Sequence, residues 1–186
     1  MRVISGSARG LKLKAPKGSN TRPTADRIKE SLFNIIAGDL YEVNFLDLFG
    51  GSGAIGIEAV SRGAARAVFI DSDREAQGII KDNIKAAKIE SKCRVLGCDI
   101  KSGILRLSQS GEKFDIIVMD PPYDRGLTEE TLNAIARTRI LKDDGFIICE
   151  QAIEESEPNI DGLCVFRVKE YKIAKMTFIK YSEEQK

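Results

Sequence analysis

The stretch Phe45-Leu46-Asp47-Leu48-Phe49-Gly50-Gly51-Ser52-Gly53-Ala54-Ile55-Gly56 decides the fold. A short apolar run, Phe45–Phe49, passes directly into glycines, and a helical pattern follows near residues 54–62. Gly51, Gly53 and Gly56 match G-x-G-x-x-G, set between a strand and a helix as a nucleotide-binding turn requires. Glycine permits the tight turn and lets a ligand approach the backbone closely. Twenty residues after Gly51, Asp71 closes the second strand, where a carboxylate can accept both hydroxyls of a ribose. Together these features point to a ligand that contains adenosine.

Outward from the loop, strands and helices alternate. Strand-like runs are Phe45–Phe49, Ala67–Ile70, Arg94–Leu96, Phe114–Met119 and Phe146–Cys149, with helical patterns near residues 54–62, 74–88, 102–108 and 128–139. Short apolar runs between helices predict a parallel sheet covered on both faces, a doubly wound α/β domain. At the tail, Leu163–Val168 and Lys172–Tyr181 read as an antiparallel hairpin. At the front, residues 1–20 carry Gly6, Gly10, Pro16 and Gly18 between short runs and read as a hairpin or extended arm. Thr24 then caps a helix that Gly38 ends.

Composition limits the chemistry. The 186 residues are 42% hydrophobic and 31% charged, enough for one domain with a core that needs no disulfide or metal. Histidine is absent, which removes Ser-His-Asp and Cys-His nucleophiles and His-containing zinc sites. Cys93, Cys98, Cys149 and Cys164 form no C-x-x-C pair and read as buried, reduced thiols, so no metal site is expected. No apolar run reaches membrane-span length, and a cytoplasmic protein is expected. The net charge of +1 conceals an asymmetry. Residues 1–30 hold eight basic side chains and two acidic ones, a net +6, so the remainder carries −5. A basic front end on an acidic body indicates a polyanion partner.

The loop lacks the G-x-x-x-x-G-K-[ST] of a triphosphate site, and Asp47 stands just before its turn. An acid there suits a cationic ligand with an amino-acid tail. S-adenosylmethionine has that character. The second motif is Asp120-Pro121-Pro122-Tyr123, closing the run Phe114–Met119. Two prolines end strand pairing and fix a rigid turn at a carboxyl end of the sheet, beside the crevice where ligands bind. The Asp120 carboxylate and the Pro121 carbonyl are acceptors for the two N–H donors of an exocyclic amine, and Tyr123 can stack on a base. Orienting the nitrogen toward a methyl group is catalysis by positioning, and it needs no histidine.

These motifs are similar to those of S-adenosylmethionine-dependent methyltransferases that modify exocyclic amines of bases. More narrowly, the chain resembles the RsmD family of bacterial ribosomal-RNA guanine-N2 methyltransferases. The likeness lies in Arg2–Gly6, Arg9–Leu13, Arg22–Asn34, Asp47–Phe49, Gly51–Ala54, Gly56–Ala59 and Asp120–Tyr123, and runs from Arg2 to about Tyr181. Gly50 departs from it, where many members carry Ala. The resemblance implies a Rossmann-like class I methyltransferase: a mostly parallel seven-stranded sheet with an antiparallel C-terminal hairpin and an N-terminal hairpin and helix. Residues 1–40 would be an RNA-binding extension, and residues 41–186 the catalytic domain.

It further implies cofactor contacts from Asp47, Phe49, Gly51, Ser52, Gly53, Asp71, Ser72, Asp99 and Ile100, and a target guanine held by Asp120, Pro121, Pro122 and Tyr123. Arg9, Lys12, Lys14, Arg22 and Arg27 would meet RNA. The partner would be 16S ribosomal RNA within a small subunit; the sequence is silent on oligomeric state, and a monomer is favoured. Asp73 and Asp115 read as surface or turn residues. A DNA adenine-N6 methyltransferase, an inactive nucleic-acid-binding module and an NAD-dependent enzyme are the alternatives. The first lacks room for a target-recognition domain, the second is opposed by the intact Asp120–Tyr123 motif, and the third by Asp47.

Overall fold

Apolar strands and one-sided helices alternate along the chain as the sequence predicts. The computed structural model describes residues 1–16, 23–122 and 126–183. The helices are α1 Pro23–Ile35, α2 Ala54–Ser61, α3 Arg74–Ala87, α4 Ile100–Gln109 and α5 Leu127–Thr138. The strands are β1 Asn44–Leu48, β2 Arg66–Ile70, β3 Cys93–Leu96, β4 Phe114–Met119, β5 Leu141–Ala152, β6 Leu163–Glu170 and β7 Ala174–Tyr181. They form a seven-stranded sheet in the order β3-β2-β1-β4-β5-β7-β6, in which β1–β2, β2–β3 and β4–β5 pair in parallel and β7 pairs antiparallel with β5 and β6. Two compact units divide the chain, Met1–Cys98 and Asp99–Lys186.

In the first unit β1 and β2 pair from Asn44↔Arg66 to Leu48↔Ile70, and β2 pairs with β3 from Ala67↔Cys93 to Ile70↔Leu96. The last four residues of both β1 and β2 are buried. Strands covered on both faces need apolar residues in unbroken runs, and that is the pattern in the sequence. Helix α2 is buried along nearly its whole length. A Cβ on Gly56 would lie 2.4 Å from Cε1 of Phe69, so only glycine lets α2 pack this closely on β2.

The front arm departs from a regular hairpin. A single antiparallel bridge joins Arg2 to Lys12, with Val3 N donating to Leu11 O and Gly10 N to Val3 O, both at 2.9 Å. The ladder stops because the next donors turn to α2. Ile4 N and Ser5 N reach the Glu58 carboxylate at 2.8 and 3.0 Å, and Ser7 N reaches Ser61 O at 2.8 Å. Helix α1 begins at Pro23, so Thr24 lies inside its first turn and is not its cap. Proline suits that first position because its missing N–H has no intrahelical partner to lose. The helix ends at Ile35 and a 3-10 turn, Ala37–Asp39, takes in Gly38.

Glu58 is fully buried, and its charge is met on every side. Besides Ile4 and Ser5, Lys29 Nζ donates to it at 3.2 Å and Arg62 Nε at 2.8 Å. Lys29, itself 3% exposed, also donates to Arg2 O at 2.6 Å.

In the second unit β4 pairs with β5 in parallel from Ile116↔Phe146 to Met119↔Cys149. Strand β5 is far longer than the expected Phe146–Cys149, because it continues back through Asp143, Asp144 and Gly145 to Leu141. Gly145 makes this possible: a Cβ there would stand 2.6 Å from Asp115 O. The rings of Phe146, Phe166 and Phe178 pack with centroids 6.1–6.4 Å apart. Of the four cysteines only Cys149 is buried. Cys93 and Cys164 belong to the outermost strands β3 and β6, and Cys98 follows β3, so all three remain half-buried, contrary to expectation.

Glu58→Ala should cost about 3–5 kcal/mol in urea unfolding, because it strands the buried Lys29 charge and two arm N–H groups. A loss below about 1 kcal/mol would show that the carboxylate does not hold the arm.

Candidate active site

In the first unit the glycine loop holds three successive departures from ordinary backbone. Phe49, Gly51 and Gly53 have φ of 63°, 55° and 73°. Glycine accepts this freely, but an aromatic residue does so at a cost of about 1–3 kcal/mol and only where its surroundings hold it, a feature concentrated at ligand sites. The outer face of the loop is open, since a Cβ on Gly51 would meet only Phe49 O, at 3.8 Å.

Two carboxylates shape the loop. Asp71 is half-buried, and its Oδ2 accepts from Gly51 N at 2.8 Å while Oδ1 accepts from Asp73 N at 2.9 Å. Each oxygen keeps a further lone pair for another donor, which fits a diol. Asp47 is 3% exposed, and its Oδ2 accepts from Gly56 N at 2.9 Å. Gly53 occupies the cap position of α2 with no side chain to offer, so Asp47 reaches from β1 to cap the helix. Asn83, which the sequence reading missed, is buried on α3. Its Nδ2 donates to Ser52 O at 2.8 Å and Lys14 O at 2.9 Å, while its Oδ1 accepts from Lys14 N at 2.8 Å. An asparagine on the buried stripe Ala76, Ile80, Ile84 was the available signal. Ser72 is exposed beside Asp71.

The remaining front residues divide by partner. Arg9, Lys12, Lys14 and Arg27 are all exposed. Lys14 Nζ pairs with Asp82 at 2.7 Å, and that lysine holds the Asp82 carboxyl below its usual range. Arg22 and Tyr123 lie outside the described residues. Asp73 caps α3 by accepting from Ala76 N at 2.8 Å. Asp115 is neither surface nor turn: it sits half-buried within β4 and receives Lys142 Nζ at 2.8 and 2.9 Å.

The second unit opens with Asp99, which caps α4 by accepting from Ser102 N at 2.9 Å. That backbone bond holds its carboxyl below the ordinary value. Ile100 follows as the half-buried first residue of the helix. Asp120 closes β4, and Pro121 and Pro122 beside it line a cavity of about 260 Å3 with Thr128, Glu150, Gln151 and Glu155. Asp120 is an exposed residue by surface area, yet the protein packed around its carboxyl displaces enough water to raise its pKa from 3.8 to about 6. The same loss of water, with Asp120 and two glutamates adding to it, pushes the Cys149 thiol up to about 12. Glu150 and Glu155 escaped the sequence reading, although Glu150 is an acid closing the apolar run Phe146–Cys149.

An alternating sheet with an antiparallel end, a glycine turn after β1 and an Asp-Pro-Pro step after β4 make up the fold of the class I methyltransferases. The solved S-adenosylmethionine-dependent methyltransferase from Agrobacterium tumefaciens shares this fold at a TM-score of 0.63 and 18% identity, over 87% of this chain and 63% of that one. Residues 1–180 match the family model described as Conserved hypothetical protein 95, and the chain belongs to that family, the RsmD family. Ribosomal RNA small subunit methyltransferase D of Escherichia coli (strain K12) is 38% identical over 160 residues, 86% of this chain and 79% of its own. The solved structure of Escherichia coli yhhF superposes at a TM-score of 0.86 with 34% identity, covering 98% of both chains.

Ionised Asp120 is disfavoured in the folded protein, so folding stability falls as pH rises from about 4 to about 6 and the unfolded chain releases its proton first. Asp120→Asn should therefore gain stability over the parent across that window in paired urea titrations, and hold a constant gain above it. A gain that shrinks with rising pH would mean that the carboxyl is not desolvated.

Proposed function

We propose that this chain transfers a methyl group from S-adenosylmethionine to the exocyclic N2 of a guanine in 16S ribosomal RNA. The observation that carries the reading is Asp120 with Pro121, a desolvated carboxyl and a carbonyl on a rigid turn beside a cavity. The name of the Escherichia coli relative supplies the substrate class. When bound, the cofactor supplies an electrophilic methyl on a sulfonium. The residues of the glycine loop fit it: Gly51, Ser52 and Gly53 present backbone, Phe49 holds the turn, and Asp71 offers its spare lone pairs to the ribose. Ser72 flanks that contact, Asp47 faces the methionine end, and Asp99 with Ile100 serves the adenine.

Asp120 and the Pro121 carbonyl accept the two N2–H bonds and aim the nitrogen lone pair, with Pro122 fixing the turn and Tyr123 stacking on the base. No covalent enzyme intermediate is required, so a histidine-free chain suffices. Accepting these bonds is stronger for the carboxylate than for the acid. Methyl transfer should therefore decline as pH falls through about 6, where Asp120 takes up its proton. Residues 1–40, with Arg9, Lys12, Lys14, Arg22 and Arg27, form the RNA-binding extension, and residues 41–186 the catalytic part. The substrate is ribosomal RNA in a small subunit, met in the cytoplasm by a monomer. No helix among the described residues is long and apolar enough to cross a membrane.

Asp71→Ala should weaken S-adenosylmethionine binding at least tenfold by calorimetry, since hydrogen bonds to a charged acceptor contribute about 1.5–3 kcal/mol. Unchanged affinity in a folded variant removes Asp71 from the site. Asp120→Ala should leave that affinity nearly intact and slow single-turnover transfer roughly a hundredfold, with Asp120→Asn less affected. Labelled-methyl transfer to undermethylated subunits, followed by nucleoside analysis, tests the reading as a whole. N2-methylguanosine is the expected product, and a label in DNA adenine would overturn it.

A further inference from the structure

A second cavity lies in the first unit, away from the glycine loop in sequence. It holds about 290 Å3 and is lined by Arg2, Val3, Ile4, Arg9, Gly10, Arg27 and Glu30. Three arginines, two from the front arm and one from α1, line it against one glutamate. Three other cations of the unit have acidic partners: Lys14 pairs with Asp82, and Lys29 and Arg62 pair with Glu58. The guanidinium groups of Arg2, Arg9 and Arg27 have no hydrogen bond or ion pair among the described residues. Three like charges around one hollow repel one another, and Glu30 is the one acid among the described residues that line it. Such an arrangement favours a ligand that brings negative charge.

The hollow is also braced. Val3 on its floor is 1% exposed, and Arg2 O is held by the buried Lys29 ammonium at 2.6 Å. Ile4 N is held by Glu58 at 2.8 Å. Arg27 sits on α1, two residues before Lys29, so the helix that carries one guanidinium also anchors the backbone carrying another. The backbone that carries Arg2 is therefore held in place before a ligand arrives, which lowers part of the ordering cost of binding. Guanidinium groups match phosphate oxygens in fork geometry, and the cavity exceeds the size of a single phosphate.

We infer that Arg2, Arg9 and Arg27 form a phosphate pocket that grips one phosphodiester of the RNA backbone. This rests on the reading of the chain as a ribosomal-RNA methyltransferase, and it narrows the RNA contact from a general basic face to one site. It also brings in Arg2, and it gives Lys12 and Lys14, which do not line the pocket, a lesser part.

The test compares the full chain with a variant carrying Arg2→Gln, Arg9→Gln and Arg27→Gln, and with a second carrying Lys12→Gln and Lys14→Gln. Binding to a 16S ribosomal RNA transcript is read by anisotropy from low to physiological salt, and cofactor binding by calorimetry. The arginine variant should lose at least tenfold in RNA affinity, and its slope of log K against log salt should become shallower by about 0.7–0.9. Its cofactor affinity should be unchanged. The lysine variant should lose less on both RNA measures. Arg27→Gln alone, at an exposed position on α1, should show part of the same loss and keeps the test decisive if the triple variant does not fold.

A parent chain that binds and methylates ribosomal RNA while the arginine variant keeps affinity and slope overturns the pocket alone. A parent chain that neither binds nor methylates it overturns the functional reading and the pocket together. Displacement of the RNA by inorganic phosphate at equal phosphate concentration would make the hollow a free-anion site, and the proposal would fall.

Discussion

One buried carboxylate organises the first unit. Glu58 lies on a helix made otherwise of alanine, isoleucine, valine, glycine and serine, with none of its surface exposed. A bare charge there would be prohibitive, so its neighbours are arranged to meet it. Two backbone N–H groups of the arm, one ammonium from α1 and one guanidinium a turn further along α2 all converge on it. The arm's departure from a regular hairpin, the seat of α1 and the position of Arg2 follow from that convergence. At its first turn α2 is pinned by a second carboxylate, Asp47. The helix that follows the glycine turn is thereby fixed by two buried acids, one at its first turn and one at its middle.

A chain without histidine has no imidazole to serve as acid or base. Asp99 and Asp120 sit in opposite electrostatic settings. Asp99 is stabilised as an anion by the backbone N–H of Ser102, whereas Asp120 is pushed toward its neutral form by loss of water. A group that is costly to ionise is a stronger hydrogen-bond acceptor once ionised, because nothing else competes for its lone pairs. That contrast separates an acid that caps a helix from one held toward its neutral form.

The sheet was legible because burial on both faces leaves unbroken apolar runs, as in Phe45–Leu48 and Ala67–Ile70. The glycine turn was legible because its residue types answer directly to backbone needs, at φ of 55° for Gly51 and 73° for Gly53. What stayed hidden depended on long-range partners. Strand β5 reaches back over Asp143 and Asp144, polar residues that break an apolar pattern, because Gly145 admits a close strand crossing. Asn83 looked like an ordinary helix residue until its amide was seen completing the backbone bonds of Lys14 and Ser52. Asp47 was read for a ligand alone, since nothing in sequence shows that the cap position of α2 falls on a glycine. The arginines were legible as charge but not as a group, since Arg2, Arg9 and Arg27 meet only through the fold.

The contact between Gly56 and Phe69 restricts how this sequence can drift. Phe69 is wholly buried, and its ring occupies the volume that any side chain at position 56 would need. Neither residue can change alone in the direction of greater bulk, and shrinking the ring alone opens a void beneath the loop. The two positions, thirteen apart on different elements, act as one steric unit. Among related sequences, an alanine at the first should travel with a smaller residue at the second.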